Sequence, residues 1–263
     1  MKISNYGICH ICGKHCKLTF EHIPPRDALN KGPARMMSGD ELIKKYRGEQ
    51  SRYRNQQKGM GRYSLCSSCN NNTGQWYAPA YNFAAKATAL AIQQNPPKQH
   101  GVVYELETDK CEPLAFVKQV IAMFCSILPI PEVQRLGFDK FLLDKESNAI
   151  DRSLFDLRMY IPSQEGGHLQ VGPFIVASVD KETNEISATQ VAEIAAYPFG
   201  FILNLTPEHP VAYGGSIMDM LDAEYGKRYK MTWYLQYLEK TSLELPMPLI
   251  FKPLPNTNET FTN

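Results

Sequence analysis

The sequence predicts an α+β protein: a small metal-stapled N-terminal unit, then a helical segment, then a mostly antiparallel β region. Three observations predict it. Four of the seven cysteines form two Cys-x-x-Cys pairs within the first 69 residues. Two long stretches, Ala80–Gln94 and Leu114–Leu128, run without Gly or Pro. Beyond residue 150 the chain turns to β-branched and aromatic runs separated by Gly, Pro and Asn. With 263 residues, 43% hydrophobic and 21% charged, the chain can bury a real core and fits one large domain or two small ones.

The first cysteine pair, Cys9 and Cys12, sits in "YGICHICGKHC"; the second, Cys66 and Cys69, in "YSLCSSCNNNTG". A two-residue spacer lets both sulfurs of a pair reach one ion, and two pairs supply four thiolates for a tetrahedral structural Zn2+. No apolar export segment follows Met1-Lys2. The longest near-apolar run, Val120–Ile130, contains Ser126 and Pro129 and is too short to span a bilayer. The expectation is a soluble, cytoplasmic chain whose thiols bind metal rather than form disulfides. A redox role for the first pair lacks the βαβ context it needs. Cys16, His10 and His15 are bystanders in this reading, Cys125 is core, and Cys111 has no assigned role.

The remaining elements follow in order. "SGDELIKKY" opens with Ser38 and places Glu41 three residues on, a capping-box start for a short helix. Ala80–Gln94 is Ala-rich and ends at Asn95-Pro96-Pro97, so it reads as a helix. "VVYELE", Val102 to Glu107, reads as a short strand. Pro113 starts a second helix, Leu114–Leu128, apolar nearly all round and hence buried. Pro129 and Pro131 stop it, and Glu132 to Leu143 reads as a third, amphipathic helix. "LFDLRMYI", "HLQVGPFIVASV", "FGFILNL" and "YKMTWYLQYLE" read as strands, and the tail "PNTNETFTN" as a frayed end.

Candidate chemistry centres on "FEHIPPRDAL", where Glu21-His22 closes a predicted strand just before Pro24-Pro25. Phosphodiester hydrolysis needs a divalent metal to neutralise the scissile phosphate, hard oxygen ligands with open positions, and a neutral imidazole to take a proton from water. Glu21, Asn71 and His22 are residues of those types. Neighbours on a strand face opposite ways, so Glu21 and His22 share one site only where the strand ends or kinks.

The pattern "CHIC…TFEHIPP…LCSSCNNNTG" resembles the zinc-stapled members of the HNH endonuclease superfamily over residues 7–80. The resemblance implies a ββα-metal fold in an N-terminal nuclease domain, residues 1–95, with a helical then β-rich region, 96–263, of open role. It implies that His22 is the general base. Glu21 and Asn71 would hold a catalytic Mg2+ or other divalent ion, and Cys9, Cys12, Cys66 and Cys69 the structural zinc. Asn70 stands where many members have His, and Asn72 is a further alternative. The middle Asn of the family pattern has no counterpart in the sequence; Arg62 falls near that place.

Charge supports a polyanion partner. Residues 1–75 carry 13 Lys/Arg against 5 Asp/Glu, a formal +8, and residues 76–263 carry 15 against 22, a formal −7. Lys44, Lys45, Arg47, Arg52, Arg54, Lys58 and Arg62 cluster with Tyr46, Tyr53 and Tyr63. Cations grip phosphates and aromatics stack on splayed bases. His100, His168 and His209 read as surface or satisfied histidines, and Trp76 and Tyr77 as packing for the helix that follows. The expected activity is metal-dependent cleavage of nucleic acid, above all DNA, in a setting such as defence against phage. The competing readings are a catalytically silent zinc module that binds nucleic acid, and an interaction protein. Residues 96–263 fit a homodimerisation platform, a target-recognition module, or a sensor through which a partner activates cleavage.

Overall fold

The structure is a computed structural model that describes residues 5–97, 99–101, 103–163, 168–179, 186–211 and 213–238. The tail "PNTNETFTN", together with Val102 and Glu239 at the ends of two expected strands, lies outside the described residues. In chain order the elements are β1 (Tyr6–Ile8), β2 (His15–His22), β3 (Ala34–Met36), α1 (Gly39–Tyr46), β4 (Arg54–Gln56), β5 (Gly61–Cys66), α2 (Ser67–Trp76), α3 (Ala78–Gln94) and β6 (Val103–Cys111). They continue with α4 (Pro113–Ile127), α5 (Ile130–Arg135), α6 (Phe138–Leu143), β7 (Asp156–Pro162), β8 (Leu169–Val179), β9 (Ile186–Ala196), β10 (Phe199–Asn204), β11 (Gly215–Ser216) and β12 (Tyr229–Leu238).

The N-terminal part is a three-stranded antiparallel sheet in the order β1-β2-β5, closed by α2. Between β2 and β5 the chain detours through a two-stranded β3–β4 ribbon that carries α1. Ser38 caps α1 by accepting from the Glu41 amide, as the capping pattern predicts. Glu41 itself turns outward to Lys44 and to the Arg52 amide, so the reciprocal half of the box is not made. The detour returns at Gly61, where a Cβ would sit 2.0 Å from the Glu21 carbonyl oxygen. Only glycine lets β5 come this close to the end of β2.

The C-terminal part is a seven-stranded sheet, β6-β12-β7-β10-β9-β8, with β11 beside β7. Every pairing is antiparallel except β12–β7, which is parallel over Gln236–Leu238. The expected strand at 102–107 is longer, Val103–Cys111, because β12 supplies a partner along its length. The expected helix over Glu132–Leu143 is two. Gly137 adopts φ +70° between α5 and α6, and its amide closes the end of α5 on the Gln134 carbonyl. Pro131 lies in the first turn of α5, where proline starts a helix.

Helix α4 lies at the centre. All fifteen of its residues are buried, and it touches α2, α3, α6, β5 and β8. Phe116 stacks on Tyr81 of α3 at 5.5 Å and meets Phe199, Phe201 and Trp233 of the sheet. One apolar core thus runs from Cys9 to Leu235. No described helix is long and apolar enough to cross a membrane.

Lys118 is a buried cation in α4. Its ammonium donates to the carbonyls of Phe141, Asp144 and Lys145 at 3.0, 2.5 and 3.3 Å, capping the end of α6. Burial pushes its pKa down to about 8. Lys118→Met leaves those carbonyls unmet and should lower stability by about 3 kcal/mol in denaturant titrations at pH 7. The unfolded chain holds this proton up to about pH 10.4 and the folded one only up to about 8, so between those values the wild type should gain stability as pH rises, relative to the variant. A wild-type-like denaturation midpoint for the variant would remove Lys118 from the core's support.

Candidate functional site

Cys9 and Cys12 lie in the turn between β1 and β2, and Cys66 and Cys69 at the junction of β5 and α2. The pairing of β2 with β5 carries the two knuckles to one place. Their four sulfurs all lie within 4.8 Å of one another, with Cys12 Sγ and Cys66 Sγ 3.8 Å apart. Four thiolates around one ion at about 2.3 Å stand about 3.8 Å apart. The four cysteines are positioned to bind one metal ion, and the donor set is compatible with a structural zinc. Backbone amides already point at the sulfurs, from Cys66 to Cys9 Sγ at 3.3 Å and from Cys69 to Cys66 Sγ at 3.4 Å. Hydrogen bonds, chiefly from Cys69, pull the Cys9 thiol down to about 4. Cys16 Sγ donates to the Lys14 carbonyl at 3.4 Å, and Cys125 is fully buried core.

β2 ends at His22, so the candidate acid and base stand at a strand terminus. Phe20 and His22 share one face, their rings edge to face at 5.0 Å. Glu21 lies on the other face with Thr19, the side on which α2 packs. Glu21 is 6% exposed, and its carboxylate has no hydrogen bond or ion pair among the described residues. Burial alone pushes its pKa up to about 8. A buried carboxylate without an ion pair is costly, and it is a group that could hold a cation.

His22 is held differently. Its Nε2 lies 2.7 Å from the Lys58 carbonyl, which can only accept, so Nε2 carries the proton and the neutral ring keeps its lone pair at Nδ1. Burial holds the imidazole below the ordinary histidine value; the Lys58 carbonyl opposes this, and the charges of Arg26 and Lys58 add to it. The ring is therefore neutral at pH 7.

The asparagines divide. Asn70 turns toward β2, its Nδ2 donating to Thr19 Oγ1 at 2.9 Å and to the Phe20 carbonyl at 3.2 Å. Its Oδ1 remains available on the same side of β2 as Glu21. Asn71, the ligand the family resemblance implies, is exposed one position on, and Asn72 is half-buried. Asn30 was not singled out by the sequence. It is 3% exposed. Its Nδ2 donates to the carbonyls of Pro24 and Met60, and its Oδ1 accepts from the Met60 amide at 2.7 Å. It laces the segment after His22 to the segment before Gly61.

Among the predicted cations, Lys58 and Arg62 flank this strand end, Arg62 directly opposite Glu21 in register. Lys44, Lys45, Arg47, Arg52 and Arg54 are exposed on α1 and the β3–β4 arm, with Lys44 paired to Glu41. Tyr53 and Tyr63 are exposed; the side chain of Tyr46 lies outside what is described. Arg26, absent from the expected set, acts electrostatically on His22. Tyr77 packs beyond α3, its hydroxyl on the Leu142 carbonyl at 2.9 Å. A separate groove of about 750 Å3 between β12 and β11 is lined by Met159, Met220 and Trp233 and borders none of these residues.

The purified chain should carry one tightly held metal ion. Cys69→Ser should lose it and melt the β1-β2-β5 unit, since binding a structural metal and folding are one equilibrium. Metal analysis with thermal melting, before and after strong chelation, checks this. A metal-free chain with an unchanged melting curve would contradict it.

Comparison of the chain with protein-family models, with curated proteins and with solved structures finds no match in any of the three.

Proposed function

We propose that this chain is an HNH-type, metal-dependent endonuclease built on a ββα-metal unit formed by β2, β5 and α2 around a structural zinc. The observation that carries the reading is the end of β2. There a buried carboxylate without a partner and an imidazole held by a backbone carbonyl stand in succession, on a frame stapled by four thiols.

The residues divide the work. Nδ1 of His22 takes the proton of a water aimed at phosphorus, and the Nε2–H bond to the Lys58 carbonyl steadies the imidazolium that results. Glu21 and His22 face opposite sides of β2, so one phosphate meets both only around the strand's end, which falls at His22. Glu21 and one amide oxygen from α2 form the cation seat; Asn70 fits it better than Asn71, because its amide is already turned to β2. A bound Mg2+ or other divalent ion would supply charge neutralisation at the scissile phosphate and leaving oxygen. Asn30 keeps the His22 loop and the Lys58 carbonyl in register. Arg26, Lys58 and Arg62 grip phosphates close to the cut, and the α1 and β3–β4 arm extends that grip along the strand. The substrate class is nucleic acid, with DNA the first to test.

Supercoiled plasmid with Mg2+ or Mn2+ tests the reading. Wild type should nick it, and His22→Ala should lose at least about 100-fold in rate at unchanged metal content of the cysteine site. Equal nicking by both proteins would assign the cleavage elsewhere, and none by either would leave a silent binding module. A binding isotherm tests the arm separately. Arg52→Gln/Arg54→Gln should weaken DNA binding across sequences and reduce the slope of log K against log salt by about 2. An unchanged slope would take the arm off the phosphate path.

A further inference from the structure

We infer that Gln170, on the C-terminal sheet, is a positioning residue for the candidate site, so that the β-rich region completes the site rather than merely adjoining it. The inference rests on the nuclease reading of His22 and deepens it.

The sequence gives no hint of this, since 147 residues separate Gln170 from its partner. Along β8, Leu169 and Val171 pack into the cluster on one face of the sheet. Gln170 therefore projects from the other face, the face where its register partner Ile194 joins the main core. Two residues on, a Cβ at Gly172 would meet the Ile127 carbonyl at 3.2 Å, so the strand runs close against the end of α4. This closeness brings the Gln170 amide over the N-terminal unit. Its Nε2 donates to the carbonyl of Ile23 at 2.9 Å.

Ile23 directly follows His22, and its own amide donates to the Met60 carbonyl at 2.9 Å. The peptide after the base is thus tied at both ends, by β5's approach on one side and by Gln170 on the other. Asn30 ties the next carbonyl, that of Pro24. Beside these contacts a cavity of about 30 Å3 is lined by Asn30, Gly59, Met60 and His168, the last standing just before β8. The start of β8 thus bonds the His22 loop through Gln170 and, at His168, borders the cavity next to it. Without the Gln170 bond, the Ile23 carbonyl loses its partner and the backbone that aims the His22 ring can rotate. The ring's bond to the Lys58 carbonyl then depends on the Ile23 amide and Asn30 alone for its alignment.

The test uses the full chain with three substitutions. Gln170→Ala removes the contact. Gln170→Glu keeps size and shape but replaces the donor with an acceptor. Gln170→Lys returns an N–H donor. The expected result is a fall in kcat on the order of 10-fold for Ala and Glu, with KM and metal content unchanged, and recovery with Lys. The amides of Ile23, Ala28 and Asn30 should exchange with solvent faster in Ala and Glu, and the His22 ring signals should shift in NMR spectra. Wild-type kcat, exchange and ring signals in the Glu variant would overturn the inference. If the wild type cleaves nothing, yet exchange and ring signals respond as described, the nuclease reading fails while the positioning contact stands.

Discussion

The main core of this protein is arranged around the need to cover α4. A helix apolar on all sides cannot face water on any of them, and at roughly 1.5–3 kcal/mol per buried large side chain its shielding dominates the core. Three different structures provide the cover. The seven-stranded sheet supplies Phe199, Phe201 and Trp233, α3 supplies Tyr81, and the cysteine-stapled unit closes the C-terminal end of the helix. The few polar side chains of α4 then act as attachment points. Lys118 holds the end of α6, and the Ser126 hydroxyl accepts from Ser64 of β5 at 2.9 Å.

This arrangement explains how a unit with so little apolar content is held in place. The His10 ring donates from Nδ1 to the Cys125 carbonyl at 2.8 Å, in the last turn of α4. Together with the Ser64–Ser126 bond, it fixes the knuckle against the helix from both β1's turn and β5. Four thiols in one cluster then constrain the same two segments from the far side. The end of β2, with Glu21 and His22, is suspended between these anchors. It is defined by long-range contacts on both flanks rather than by local propensity.

What the sequence disclosed and what it withheld follow from how far apart the interacting residues are. The knuckles, the Ser38 cap, α3 and α4 were legible because their signals lie within a few residues of one another. β9 was passed over because "ISATQVAEIAA" is rich in Ala, and its strand character comes from its neighbours β8 and β10. The break at Gly137 was misread because a single glycine inside an amphipathic pattern is tolerated in many helices. Asn30 could not be told from any turn asparagine, since its bonds to Pro24 and Met60 depend on the detour closing at Gly61. The choice between Asn70 and Asn71 was likewise beyond a spacing argument. One helical step of 100° decides which amide meets β2, and the register of α2 against the strand sets that step.

The same distance argument bears on the charge asymmetry of the chain. Lys44, Lys45, Arg47, Arg52, Arg54 and Lys58 lie on the detour between β2 and β5, and they are exposed there. The acidic excess lies in the part that builds the sheet. Like charges gathered on a peripheral arm repel one another and contribute little to folding, so their placement makes sense as a surface for a polyanion. Glu21 belongs to neither group. It is an acid within the basic quarter, buried without an ion pair among the described residues, at the place where the arm rejoins the frame. A cation seated there would lie across β2 from the imidazole of His22, so a phosphate would meet both only around the strand's end. A hydrolytic site on a polyanion requires charge to hold the backbone, charge to neutralise the phosphate under attack, and a neutral base to make the nucleophile, and the end of β2 is the one point where the two faces meet.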